Sequence, residues 1–185
     1  MTTYVLHWGW SWILANCIAD IKNKYSLQHK KILLLYHAKD LSEWKESFLK
    51  DVTSLQKIWI LEDSCQAWSA DLNSLILQIK KADVVIIKGG SAEFLCQNLF
   101  LIKGQLEDLF KNKIVMGISA WAYLLSKTYF SNDRKAIYDW FWLIDFNVIC
   151  HYEDNMSTYA ESLYAKNCTD TLKLKESEYV ILDAS

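Results

Sequence analysis

The chain has 185 residues, 20 basic and 22 acidic side chains, a formal charge of −2 and 52% hydrophobic residues. That length carries about one ordinary domain, which excludes a multidomain machine. The near-neutral charge argues against nucleic acid or an anionic membrane as partner, and no apolar run approaches the roughly 18 residues that span a bilayer, so a soluble protein is expected.

Tyr4 to His7 is a short apolar run that ends in a loop bearing glycine and tryptophan, and it predicts a first buried strand. Ile13 to Tyr25 follows with apolar residues at helical spacing. Lys31 to His37 is continuously apolar, as in a strand covered on both faces of a parallel sheet. Leu41 to Val52 predicts a helix, Lys57 to Leu61 a strand, Ala70 to Lys81 a helix and Ala82 to Ile87 a strand. Past Gly89-Gly90 comes a long helical stretch, Ala92 to Lys111, with a break near Gly104. Lys113 to Gly117 predicts a strand, Ala120 to Ser126 a helix, Asn147 to Cys150 a strand, Met156 to Lys166 a helix and Glu178 to Asp183 a closing strand. Alternation of this kind predicts an α/β fold, a three-layer sandwich about a mainly parallel central sheet. No linker, repeat or low-complexity tract interrupts it, so a single domain over residues 1–185 is expected.

Ligands of open parallel sheets bind beyond the carboxyl ends of the strands. That rule selects the loops 7–12, 88–91, 117–121 and 151–154. In Val115-Met-Gly-Ile-Ser-Ala-Trp121 a buried strand turns into a helix with a serine at the corner. This is the position of a nucleophile elbow, usually G-x-S-x-G, whose sharp turn exposes the hydroxyl and aims the following amide, here that of Ala120, at a developing oxyanion. Gly117 obeys the pattern and Trp121 breaks it. A serine that caps the helix is the other reading of this corner.

Lys88-Gly89-Gly90-Ser91 also joins a strand to a helix, and its amides could supply the second oxyanion donor. A plain tight turn is the alternative there. His151 ends a strand downstream of the serine, where a general base belongs. Asp133, in a polar loop between the two, could orient the imidazole, with Glu153 and Asp154 as competing acids. Lys88 and Arg134 are candidates for pairing a substrate carboxylate, against a plain solvated role.

The five cysteines, Cys17, Cys65, Cys96, Cys150 and Cys168, are odd in number and widely spaced, with no C-x-x-C pair. Neither a disulfide framework nor a zinc site is expected. The start lacks a basic flank and apolar stretch, so a cytoplasmic protein with reduced thiols is the expectation.

The ordered set, a strand into His7-x-Gly9-x-Ser11, the Ile-Lys-Gly89-Gly90-Ser loop, Gly117-Ile-Ser119-Ala, Ser131-Asn-Asp133 and strand-His151-Tyr, resembles the peptidase E and cyanophycinase family of serine peptidases. Together these pieces cover nearly the whole chain. The resemblance implies a fold like that of class I glutamine amidotransferases, with Ser119 as nucleophile, His151 as base and Asp133 as acid. It implies an oxyanion hole at the Gly89-Gly90 loop and the Ala120 amide. The implied substrate is a short peptide, such as a dipeptide with N-terminal aspartate, and no metal or organic cofactor is needed. A monomer or homodimer fits, with neither nucleic acid nor membrane as partner. An amidase or esterase, or a catalytically silent small-ligand module, is the alternative on the same fold.

The departures from the family share one form. Glycine appears 5 times and proline not at all, against 9 tryptophans. Trp8, Trp10, Trp12, Trp121, Trp140 and Trp142 stand where relatives carry glycine, in loops that need close approach or positive φ. Restoring glycine at these positions brings its share near the usual level of about 7%. This is the pattern expected if UGA codons that the source reads as glycine are rendered as tryptophan, and glycine is the expectation at these six positions. An indole at position 121 is expected to wedge strand from helix at a cost of several kcal/mol. Trp44 and Trp59 stand in helical and strand contexts outside the pattern, and Trp68, in a polar loop, fits either reading.

Overall fold

Strand β1 (Thr2–His7) is buried along its whole length because it runs inside a six-stranded sheet. The computed structural model describes residues 1–8, 11–67, 71–132, 134–140 and 143–184. β1 pairs in parallel with β5 (Ile114–Ile118) and antiparallel with β10 (Tyr179–Ala184). β2 (Ile32–Leu35), β3 (Cys65–Ala67) and β4 (Val84–Ile87) complete the order β10-β1-β5-β4-β2-β3. The first five strands all run in one direction. Their carboxyl ends therefore form a single edge, where the parallel-sheet rule places a site.

Strand side chains alternate between faces. Val5, Ile32, Leu34, Val84, Ile86 and Met116 pack beneath α1 (Ser11–Tyr25) and α2 (Trp44–Gln56), against Ile18, Ile21, Val52 and Leu55. Leu6, Leu33, Leu35, Val85, Ile87 and Val115 take the other face. There they meet α3 (Leu72–Lys81), α4 (Ala92–Leu99), α5 (Leu106–Phe110) and α6 (Ala120–Leu125). Helices, sheet and helices make the three layers that the sequence predicts. The long stretch 92–111 divides where expected, with a 3₁₀ turn at Phe100–Gln105 containing Gly104.

A second sheet lies beside the first. β6 (Thr128–Ser131), β7 (Ala136–Asp139), β8 (Asn147–Cys150) and β9 (Thr171–Leu174) take the order β7-β6-β8-β9. Tyr129, Val148, Cys150 and Leu174 join the core that α6 covers. Phe130 and Ile149 face Ala160 and Leu163 of α7 (Ser157–Asn167). Of these strands the sequence predicts only β8. β8 reads as an apolar Val-Ile-Cys run, whereas Ser131, Asp139 and Lys173 interrupt the others before an apolar run can show.

The strand predicted at 57–61 is not formed. Ile58 and Ile60 instead pack on the core from the turn that ends α2. Ile60 N–H donates to the Leu55 carbonyl at 3.2 Å and Trp59 N–H to that of Gln56 at 3.0 Å, while Trp59 has φ 66°. This is a Schellman end with Trp59 in the left-handed position that glycine usually fills. Its indole is 81% exposed, so it contributes little packing there. Trp59→Gly is expected to raise stability by about 1 kcal/mol, measured as a higher urea midpoint at unchanged slope.

His37, just past β2, is wholly buried, and burial pushes its imidazole down to about 3. An unfolded imidazole titrates near 6.5, so between these values the unfolded chain binds a proton that the folded chain does not. The His37 contribution to stability is therefore complete above about pH 6.5 and is lost at about 1.4 kcal/mol for each pH unit below it, down to about pH 3. Denaturant titrations at pH 7 and pH 4 should show this loss, and His37→Gln should flatten it.

Candidate active site

β5 ends at Ile118 and α6 begins at Ala120, so the whole reversal falls on Ser119. Its backbone sits at φ 58°, ψ −114°, a region that costs a residue with a side chain about 1–3 kcal/mol. Surrounding bonds hold it there: Ser119 N–H donates to the His7 carbonyl at 3.1 Å, and Ala122 N–H donates to the Ser119 carbonyl at 2.8 Å. The hydroxyl makes no capping bond to α6, so the capping reading lacks its defining interaction. Gly117 permits the close seat of the helix, since a Cβ there would come within 3.3 Å of Trp121.

Trp121 does not wedge strand from helix as the sequence reading expects. It is wholly buried in the core, and α6 stays close on β5 at Gly117. The cost appears elsewhere, because its Nε1 is buried without a hydrogen-bond partner, a loss of about 1–3 kcal/mol.

The loop after β4 meets the same corner. A Cβ on Gly89 would lie 2.7 Å from Ser119 Cβ and 3.3 Å from its Oγ, so only glycine allows the contact. Gly90 has φ 153°, and a Cβ there would run into the Ala38 carbonyl oxygen. Ser91 N–H donates to that carbonyl at 2.8 Å. The Gly89 contact brings the loop against Ser119, and Ala120 follows the serine as the first residue of α6, whose opening amides have no intrahelical acceptor.

His151 follows β8 with φ 52°. It reaches the edge of the main sheet through Trp8, the residue after β1. Trp8 Nε1 donates to His151 Nδ1 at 2.8 Å, with the rings edge to face at 4.0 Å. Trp8 N–H donates to the Glu178 carbonyl, and its own carbonyl accepts from Ser177 N–H. The end of β1 thus joins the serine corner, through His7, to the histidine and to the turn after β9.

That turn carries an acid the sequence reading missed. Glu176 Oε2 lies 3.3 Å from His151 Nδ1. β9 runs parallel to β8 with Leu174 opposite Cys150, so Glu176 leaves the sheet one strand over from the imidazole. The signal was Thr171-Leu-Lys-Leu174, a strand whose mixed polarity concealed it. Asp133 lies outside the described residues. Of the competing acids, Asp154 pairs with Lys175 at 3.3 Å and Glu153 accepts from Asn155. Arg134 lies in the turn between β6 and β7, its N–H donating to Ser131 Oγ. Lys88 is neither solvated nor open to a substrate carboxylate: it is buried, with Nζ 2.8 Å from Asp51 Oδ1.

His7 is wholly buried beside this corner with both ring nitrogens lacking hydrogen-bond partners. Burial lowers its pKa, Lys88 lowers it further and Glu176 opposes them. A neutral ring is the result. Trp10, Trp142 and the side chain of Trp12 lie outside what is described.

No protein-family model and no curated protein sequence matches the chain. Solved structures do. A putative peptidase E protein from Listeria monocytogenes EGD-e is similar at TM-score 0.66 and 18% identity, over 100% of both chains. A peptidase from an acI-B1 Actinobacterium is similar at TM-score 0.70 and 17% identity, over 98% of this chain and 83% of that one. The fold is thus that of proteins named peptidase E and peptidase, in keeping with the resemblance read from the motifs. Among the described residues, no helix is long and apolar enough to cross a membrane.

Proposed function

We propose that the chain is a serine peptidase acting on short peptides, including dipeptides with N-terminal aspartate. The observation that carries the reading is the Ser119 corner: a strained backbone whose hydroxyl is not used as a cap, with Gly89 packed against it. Ser119 attacks the scissile carbonyl, His151 takes the hydroxyl proton and returns it to the leaving amine, and the amides of Gly89 or Gly90 and of Ala120 stabilise the oxyanion. Glu176, 3.3 Å from His151 Nδ1, takes the role assigned from sequence to Asp133, holding the imidazole proton on Nδ1 once the Trp8 indole releases that nitrogen. Water then releases the acyl group by the same route.

A second reading, a silent small-ligand module, is favoured by the Trp8 contact. Nδ1 has one in-plane position. While it accepts from the indole it cannot donate to Glu176, and the ring proton lies on Nε2, where a base should have its lone pair.

A fluorophosphonate separates the two. The peptidase reading expects an adduct on Ser119, located by peptide mass spectrometry, and release of free amino acids from aspartyl dipeptides. Absence of an adduct in both the unsubstituted chain and Trp8→Phe, with folding intact, rejects it in favour of the module.

A further inference from the structure

Three side chains beneath the Gly89-Gly90 loop form a buried polar group outside the triad. The alternation of β4 puts Val84 and Ile86 on the α2 face, and Lys88, two residues on, continues that series. On the adjacent strand β2, Ile32 and Leu34 face the same way and Tyr36 continues them. Both side chains reach one carboxylate of α2. Lys88 Nζ donates to Asp51 Oδ1 at 2.8 Å and Tyr36 OH to Asp51 Oδ2 at 2.9 Å. All three residues are buried.

A pair of this kind is a poor way to hold a helix on a sheet, because apolar residues of similar volume do so as well or better. A charged pair supplies direction instead. Asp51 has both oxygens engaged, so the Lys88 side chain has one anchored course, and the peptide that follows Lys88 belongs to Gly89, packed on Ser119. The Lys88 N–H is fixed as well, donating to the Leu35 carbonyl at 2.9 Å.

We propose that Asp51 and Tyr36 are positioning residues for the oxyanion hole, setting the Gly89 and Gly90 amides through the Lys88 ammonium. The inference rests on the peptidase reading for its catalytic consequence, while the placement of the loop can be tested without it. Misplacing such donors by about 1 Å costs on the order of 100-fold in rate.

The test compares the full chain with Lys88→Met/Asp51→Leu, which replaces the pair by apolar groups, and with Tyr36→Phe, which keeps the pair and loosens it. Each is made with and without Trp8→Phe. Circular dichroism checks folding, amide hydrogen exchange reads segment 88–91, and fluorophosphonate labelling and dipeptide hydrolysis read the hole. The expected result is a folded double variant with exchange at least about 10-fold faster in that segment. Labelling should slow by a similar factor, and kcat should fall about 10-fold with KM unchanged. Tyr36→Phe should move the same quantities by roughly 3-fold, and it decides the matter if the double variant fails to fold. Unchanged exchange in the folded variants overturns the proposal, as does unchanged labelling where the parent chain is labelled. If no protein is labelled, the peptidase reading falls, while exchange still decides whether the pair positions the loop.

Discussion

Replacing Trp8 with phenylalanine raises the rate at which a fluorophosphonate modifies Ser119 by roughly 100-fold, the lower range of what a correctly protonated base contributes. The indole N–H lies 2.8 Å from His151 Nδ1, and the Glu176 carboxylate lies 3.3 Å from the same atom. The two demand opposite protonation: the indole needs a lone pair there, the carboxylate a proton. Phenylalanine keeps a ring against Tyr123, which lies 6.1 Å from the Trp8 ring, and removes the competing donor. Nδ1 is then free to donate to Glu176, and Nε2 gains the lone pair that general-base catalysis uses. Trp8→Gly frees the nitrogen equally but loses buried packing worth about 3–5 kcal/mol, so its gain in reactivity should come with a lower melting temperature. Equal labelling rates for tryptophan and phenylalanine at this position would show that the indole does not control the imidazole.

The parallel sheet and the serine corner were legible because each depends on local patterns. Runs such as Val84-Val-Ile-Ile87 are apolar on both faces, and a serine placed alone between a buried strand and a helix has few conformations open to it. The second sheet was not legible, since its strands are held by pairing to distant partners rather than by their own period. Glu176 went unseen for the same reason: its placement beside His151 follows from β9 lying next to β8, a contact between segments 24 residues apart. The tryptophan pattern was only partly read. Trp59 falls in the strand expected at 57–61, yet it occupies the left-handed end of α2. That position, together with the orphaned Trp121 Nε1, extends the proposal that glycine belongs at these sites. Peptide mass spectrometry on protein isolated from its source should find glycine at 8, 59 and 121. Tryptophan at all three would end that proposal.

Ser119→Gly should abolish labelling, a loss of at least about 10⁴-fold, and yet stabilise the fold by about 1 kcal/mol. At φ 58°, ψ −114° a serine carries strain of about 1–3 kcal/mol. Glycine removes that strain at an entropic cost of roughly 0.5–1 kcal/mol in the unfolded chain, which leaves a small net gain. Ser119→Ala supplies the comparison, since it removes the hydroxyl and keeps the strain, so labelling is lost with stability nearly unchanged. A serine that served only to cap α6 would behave in the opposite way, with alanine costing about 0.5–2 kcal/mol and glycine only a few tenths. Thermal melts of the three proteins therefore discriminate by order: glycine above serine and alanine for a strained nucleophile, serine above both for a cap. A corner that is less stable with glycine than with alanine would mean that the backbone stores no strain, and the case for an activated hydroxyl at residue 119 would lose its physical basis.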